Sequence, residues 1–136
     1  MSSRLRRGRG AGGFTLIELL VVVSLIIVLA GIGMAQYRNA VTRSKEAVLS
    51  EDLYRLRDVI DQYYADKQKR PESLEVLVTD GYLREVPKDP FTGSAETWQL
   101  IQAEPDAANP ADEPGIDNVK SGSDRTALDG SKYSDW

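Results

Sequence analysis

The chain has 136 residues, with 17 Lys and Arg against 21 Asp and Glu, a formal net charge of -4, and neither histidine nor cysteine. That length accommodates one small domain and an appendage, and the acidic balance disfavours a nucleic-acid-binding role. The missing His and Cys exclude Ser-His and Cys-His pairs and the usual zinc sites, and they leave any exported domain without a disulfide staple. A Ser-Lys or paired-carboxylate enzyme stays formally open, but no motif suggests one.

The first segment carries Arg4, Arg6, Arg7 and Arg9 with no acid. Such a cluster reads as a topology signal that keeps the N-terminus in the cytoplasm. Without its four positive charges, the net charge of the remainder falls from -4 to -8.

An apolar segment follows, in which Ser24 is the only polar side chain from Leu19 to Ala35. The 22 residues Phe14 to Ala35 form a helix of roughly 33 Å at about 1.5 Å per residue, enough to span hydrocarbon with some tilt. Gly31 and Gly33 suit close helix contact, or are simply tolerated in a membrane helix. Glu18 stands at the start of this segment, and no basic side chain lies between Arg9 and Arg38. An acid near hydrocarbon costs a few kcal/mol, so it is expected to have a partner. Cleavage between Gly13 and Phe14 would supply one, a new amine within one helical turn. Two blander readings stand beside this: an acid complementing the helix dipole, or an ordinary secretory signal cut at Gly31-Ile32-Gly33 or Gly33-Met34-Ala35.

The string Gly12-Gly13-Phe14-Thr15-Leu16-Ile17-Glu18 behind a basic leader resembles the class III signal of type IV pilins and type II secretion pseudopilins. The resemblance implies that a prepilin peptidase cuts after Gly13 and methylates the Phe14 amine. It also implies that Glu18 pairs with the Phe14 amine of a neighbouring subunit as the helices polymerise. Relatives often have proline where this chain has Ala35, which bears on any kink there.

No proline interrupts the chain between Phe14 and Arg70, so the helix is expected to continue beyond the membrane and to end near Asp66 to Lys69. Leu49, Leu53, Leu56, Ile60 and Tyr63 recur at spacings of four, three, four and three, one apolar stripe on a polar rod. A coiled coil would show the same stripe, but packing against a small head explains it over so short a run. Arg70-Pro71 breaks the helix. Leu74, Leu77 and Val78 then mark a short second helix stopped by Asp80-Gly81.

Residues Tyr82 to Gly93, with Pro87-Lys88-Asp89-Pro90 and Phe91, form a turn-rich connector in which Phe91 is available to plug a core. This run resembles the helix-to-sheet connection of the major pseudopilins. Thr97 to Gln102 and Ile116 to Lys120 read as two short antiparallel strands. The intervening Ala103 to Gly115, with Pro105, Pro110 and Pro114, reads as a solvated loop. The tail Ser121 to Trp136 is dense in Gly, Ser and Asp, a composition typical of disorder. By the family resemblance it is instead a calcium loop opened by Gly122-Ser123-Asp124 and closed by Trp136. Asp124 and Asp129 are the first-choice ligands, followed by the Ser121 carbonyl and Ser134; calcium takes six to eight such hard oxygens. The acidic spacing is not that of an EF-hand.

The expected fold class is α+β: a long N-terminal helix, transmembrane in its first half, packed against a small head with a short helix and a small antiparallel sheet. The expected divisions are a leader at 1–13, a membrane or filament-core helix at 14–36, its amphipathic continuation at 37–69 and a head at 70–136. The resemblance implies a non-catalytic pseudopilin. It would sit in the bacterial inner membrane as a single-pass protein with a periplasmic head before entering a periplasmic filament. Its partners would be other copies of itself in a helical homopolymer, the prepilin peptidase, minor pseudopilins and the assembly platform. A type IV pilin for adhesion, motility or DNA uptake is the nearest alternative, and a membrane-anchored binding module is a different one.

Overall fold

The structure, a computed structural model, describes residues 12–105, 107–108 and 114–136. Most of the arginine-rich leader and part of the proline-rich 103–115 loop lie outside these residues. Helix α1 runs Leu16–Lys67, 52 residues without interruption. Contacts divide the chain into one unit ending at Arg38 and another spanning Asn39–Trp136.

In the first unit the apolar side chains of α1 face outward, from Leu16 at 85% exposed to Met34 at 61%. This stretch is long and apolar enough to cross a membrane. Ser24 donates its hydroxyl proton to the Leu20 carbonyl at 2.7 Å, so the one polar side chain between Leu19 and Ala35 is satisfied within the helix.

In the second unit the stripe Leu49, Leu53, Leu56, Ile60 and Tyr63 is buried as its spacing requires, and Val59 joins it. Each large side chain buried in this way contributes about 1.5–3 kcal/mol. The same core takes in Leu74, Leu77, Leu83, Trp98, Ile116, Val119, Ala127 and Tyr133. The stripe therefore packs within its own unit and does not form a coiled-coil seam.

Helix α1 stops at Lys67, within the expected range, where Gln68 takes a left-handed φ of 54° just before Pro71. Helix α2, Leu74–Thr79, starts one turn later than Pro71 because the Ser73 side chain caps it, accepting from the Val76 N–H. The Asp80 N–H closes onto the Val76 carbonyl, and Gly81 takes φ 81°, which ends the helix where Asp80-Gly81 predicts.

Strands β1, Gln99–Gln102, and β2, Ile116–Lys120, form a two-stranded antiparallel sheet with Leu100 opposite Val119 and an irregularity between Ile101 and Gln102. β2 is the buried strand, through Ile116 and Val119, whereas all of β1 is exposed. Trp98 lies just before β1 and is only 6% exposed, while Leu100, two residues further on, remains 40% exposed. The tail is ordered despite its composition. Thr126 bridges Lys132, and a 3-10 turn, η1, spans Tyr133–Asp135.

Candidate functional site

At the N-terminal end, Gly12 to Thr15 are exposed and non-helical, and Phe14 is 86% exposed. Thr15 caps α1: its Oγ1 accepts from the Glu18 N–H at 3.2 Å, and its carbonyl accepts from the Leu19 N–H at 3.1 Å. Thr15 and Glu18 thus have the Ser/Thr-x-x-Glu spacing of a helix start. The sequence reading weighed the helix dipole for Glu18 but missed this capping signal. The Glu18 carboxylate itself is exposed among apolar neighbours.

The expected connector folds around one carboxylate. Asp89 is fully buried. Its Oδ1 accepts from the Phe91 N–H at 2.9 Å, and its Oδ2 accepts from the Ser121 hydroxyl at 2.5 Å and the Gly122 N–H at 3.2 Å. Three such bonds compensate the desolvation of a buried charge. The Asp89 carbonyl also accepts from the Gly93 N–H at 2.7 Å, which closes the turn at Gly93, φ 72°. The connector is further pinned by Trp98, whose indole N–H donates to the Pro87 carbonyl at 2.8 Å. A Cβ on Gly122 would collide with the Thr97 carbonyl, so the tail can pack against the backbone just before β1 only with glycine there. Desolvation raises the pKa of the nearby Asp52, Arg55 opposes this, and Glu51 and Asp89 add to the rise.

Two charged side chains of α1 hold the tail. Glu46 Oε1 accepts from the Leu128 N–H at 2.9 Å and the Tyr133 hydroxyl at 2.7 Å. Arg57 donates through Nε to Asn118 Oδ1 at 2.7 Å, and through Nη2 to the Val119 carbonyl at 3.0 Å and the Trp136 carbonyl at 2.7 Å. Tyr133 stacks on Phe91 with ring centroids 3.9 Å apart and meets Trp136 edge-on at 5.2 Å. Burial first, and then the bond to Glu46, push the Tyr133 phenol up to about 12. Phe91 does plug the core, but through this stack. Nothing in the spacing of Glu46 or Arg57 distinguished them from solvent-facing charges, because their partners lie 61 to 87 positions away in sequence.

The four expected calcium ligands occupy different settings. Asp124 and Asp129 are exposed, Ser134 is half-buried, and Ser121 is buried with its hydroxyl committed to Asp89, leaving its carbonyl. Asp129 Oδ1 accepts from the Ser131 hydroxyl at 2.6 Å and the Ser131 N–H at 2.9 Å, which hold the carboxyl below its ordinary range. Asp129 is therefore brought together with Ser131, a residue the sequence reading passed over. Ser131 also accepts from the Trp136 indole at 2.7 Å, so the loop closes onto Trp136. The donor set is of hard oxygens and fits calcium in type. Among the described residues, no group of three or more acidic side chains gathers at one point, so main-chain carbonyls and hydroxyls would have to supply most of the coordination.

A long N-terminal helix, apolar and exposed on every side for its first half and then buried along one stripe in a small α+β head, defines the pilin-like class of structural proteins. The Type II secretion system core protein G of Pseudomonas aeruginosa is 30% identical to this chain over 137 residues, covering 88% of the chain and 93% of the relative. The Klebsiella michiganensis protein of the same name is 26% identical over 134 residues, 87% of each. The Type IV major fimbrial protein FimA of Dichelobacter nodosus is 38% identical over 60 residues, 44% of this chain and 38% of its own length. No protein-family profile matches the chain, and neither does any solved structure. The chain belongs to the type II secretion system core protein G family.

Proposed function

We propose that this chain is the structural subunit of a periplasmic pseudopilus. It is made as a single-pass inner-membrane protein with a cytoplasmic N-terminus and polymerises through α1 to support protein export across the outer membrane. The observation that carries this is the apolar run of α1, exposed on every side, in which Glu18 is the lone acid. So much apolar surface needs lipid or copies of itself to cover it. A prepilin peptidase cuts after Gly13, and the non-helical, exposed Gly13-Phe14 pair favours access to that bond. The methylated Phe14 amine then meets Glu18 of a neighbour, which neutralises both charges as they leave the bilayer. Minor pseudopilins and the inner-membrane assembly platform are the further partners, and the subunit performs no catalysis.

Mass spectrometry of the processed chain tests the first step: a start at Phe14 supports the reading, and a start at Gln36 overturns it. Glu18→Ala should mature normally yet yield at least tenfold fewer filaments by electron microscopy.

The tail binds calcium through Asp124 and Asp129, aided by the Ser121 carbonyl and Ser134, and so supplies the stability that a disulfide would otherwise give. Its support is the donor chemistry and the lowered Asp129 carboxyl. Melting with calcium against chelator should raise the midpoint by several degrees; an unchanged midpoint removes the site. The fimbrial match, which covers 44% of the chain, favours a second reading, a type IV pilin. Deleting the gene and assaying exoprotein release against twitching motility separates the two.

A further inference from the structure

The buried polar side chains among the described residues are Asp89, Ser121 and Ser123, and they form one line of hydrogen bonds. The Ser121 hydroxyl donates to Asp89 Oδ2 at 2.5 Å, and its oxygen accepts from the Ser123 N–H at 3.2 Å. The Ser123 hydroxyl oxygen in turn accepts from the Arg125 N–H at 3.3 Å. With the Gly122 N–H on Asp89 Oδ2 at 3.2 Å, the N–H groups of Gly122, Ser123 and Arg125 are all tied, directly or through a serine, to one carboxylate. Every buried side-chain nitrogen and oxygen among the described residues has a partner, so protein groups alone satisfy this line. The backbone on both sides of Asp124 is thus set by bonds in which the exposed Asp124 carboxylate takes no part.

We infer that Asp89 is a positioning residue for the calcium loop: it fixes the Ser121 carbonyl and the backbone around Asp124 in place before the ion arrives. The Ser121 carbonyl shares a planar, trans peptide unit with the Gly122 N–H. Holding that N–H on Asp89 therefore aims the carbonyl the opposite way, out of the buried junction. The Arg125 N–H fixes the Asp124 carbonyl in the same manner. Asp89 does not itself ligate, because both its oxygens face donor hydrogens, which repel a cation, and the side chain is fully buried. The connector also grips the far end of the loop: Phe91, whose N–H lies on Asp89 Oδ1 at 2.9 Å, stacks its ring on Tyr133. A loop rich in Gly, Ser and Asp would otherwise have to be ordered at the moment of binding, and that cost is met in advance by the fold. Groups that orient metal ligands in this way typically change metal affinity by about 10–100-fold.

This inference rests on the calcium binding proposed above, and the test tells the two apart. Calcium chloride is titrated calorimetrically into the detergent-solubilised full chain, and each variant is also melted in chelator. Ser121→Ala removes the hydroxyl and keeps the carbonyl, while Asp89→Asn sets an amide donor against the donors it faces. Each should raise the calcium Kd at least about tenfold. Ile60→Val, a change in the buried core, is the control for loosening alone: it should lower the chelated midpoint without moving the Kd. A Ser121→Ala chain that binds calcium as tightly as the unsubstituted one overturns the positioning role and leaves the calcium site standing, even where its chelated midpoint falls. An equal rise in Kd for Ile60→Val overturns it as well, since general loosening would then account for both. An unsubstituted chain that binds no calcium overturns both readings. Should Asp89→Asn fail to fold, the Kd of Ser121→Ala decides by itself.

Discussion

The two halves of α1 use apolar residues for opposite purposes. From Leu16 to Met34 they point outward on every side, and from Leu49 to Tyr63 they lie on one buried stripe. A helix apolar all round has no preferred partner within its own chain and awaits lipid or another helix. A striped helix has already chosen the face it buries. The first half therefore keeps its apolar surface for something outside its own fold and the second builds the core, and substitutions should separate the two.

The largest effect is expected from Leu56→Ala, which empties a fully buried position and should cost about 2–5 kcal/mol in urea unfolding of the detergent-solubilised chain. The matched change Leu20→Ala, at a position 65% exposed, should move that transition by less than about 0.5 kcal/mol. Equal costs at both sites would break the comparison. Next comes Asp89→Ala, which strands the Ser121 hydroxyl and the Phe91 and Gly122 N–H groups and should cost about 1.5–3 kcal/mol in the same measurement. Gly122→Ala should cost a similar 1–3 kcal/mol, because its Cβ drives into the Thr97 backbone.

Alkaline pH gives a smaller handle. The Tyr133 phenol has an ordinary pKa of 10.0 and is raised to about 12 in the fold. Its stabilisation is therefore complete below pH 10 and is lost as pH rises from 10 to 12. Tyr82 titrates in the same window because its hydroxyl donates to Asp66, which pushes it up to about 12. Tyr133→Phe should flatten part of the stability loss across that range and leave the Tyr82 part. A profile unchanged by the substitution would remove the coupling to Glu46. Smallest of all is Asp117→Asn, which breaks the exposed Arg70–Asp117 pair and should cost no more than about 1 kcal/mol.

Much of this fold was legible because it repeats locally. The spacing of Leu49 to Tyr63, the stop at Arg70-Pro71, the Asp80-Gly81 terminus and the limits of β2 all follow from neighbours within a few residues. The expected core missed Val59, which lies between Leu56 and Ile60 and widens the stripe. The polar anchors were not legible. Glu46, Arg57 and Asp89 reach partners 32 to 87 positions away, and no periodicity encodes a contact at that range. The same reason explains the tail, where composition predicts disorder yet long-range bonds from α1 and the connector supply the order. At the N-terminus, the Phe14 and Glu18 spacing was read through a family pattern, while the Thr15 cap beside them needed only the physics of a helix start.

Both tryptophans of the chain lie in the 39–136 unit. Trp98 donates to Pro87 in the connector, and Trp136 donates to Ser131 in the tail. Tryptophan fluorescence is therefore blind to the exposed apolar half of α1 and watches two separate corners of the head. Replacing either indole with phenylalanine would leave a single-site optical reporter, able to say whether connector and tail loosen together or one after the other.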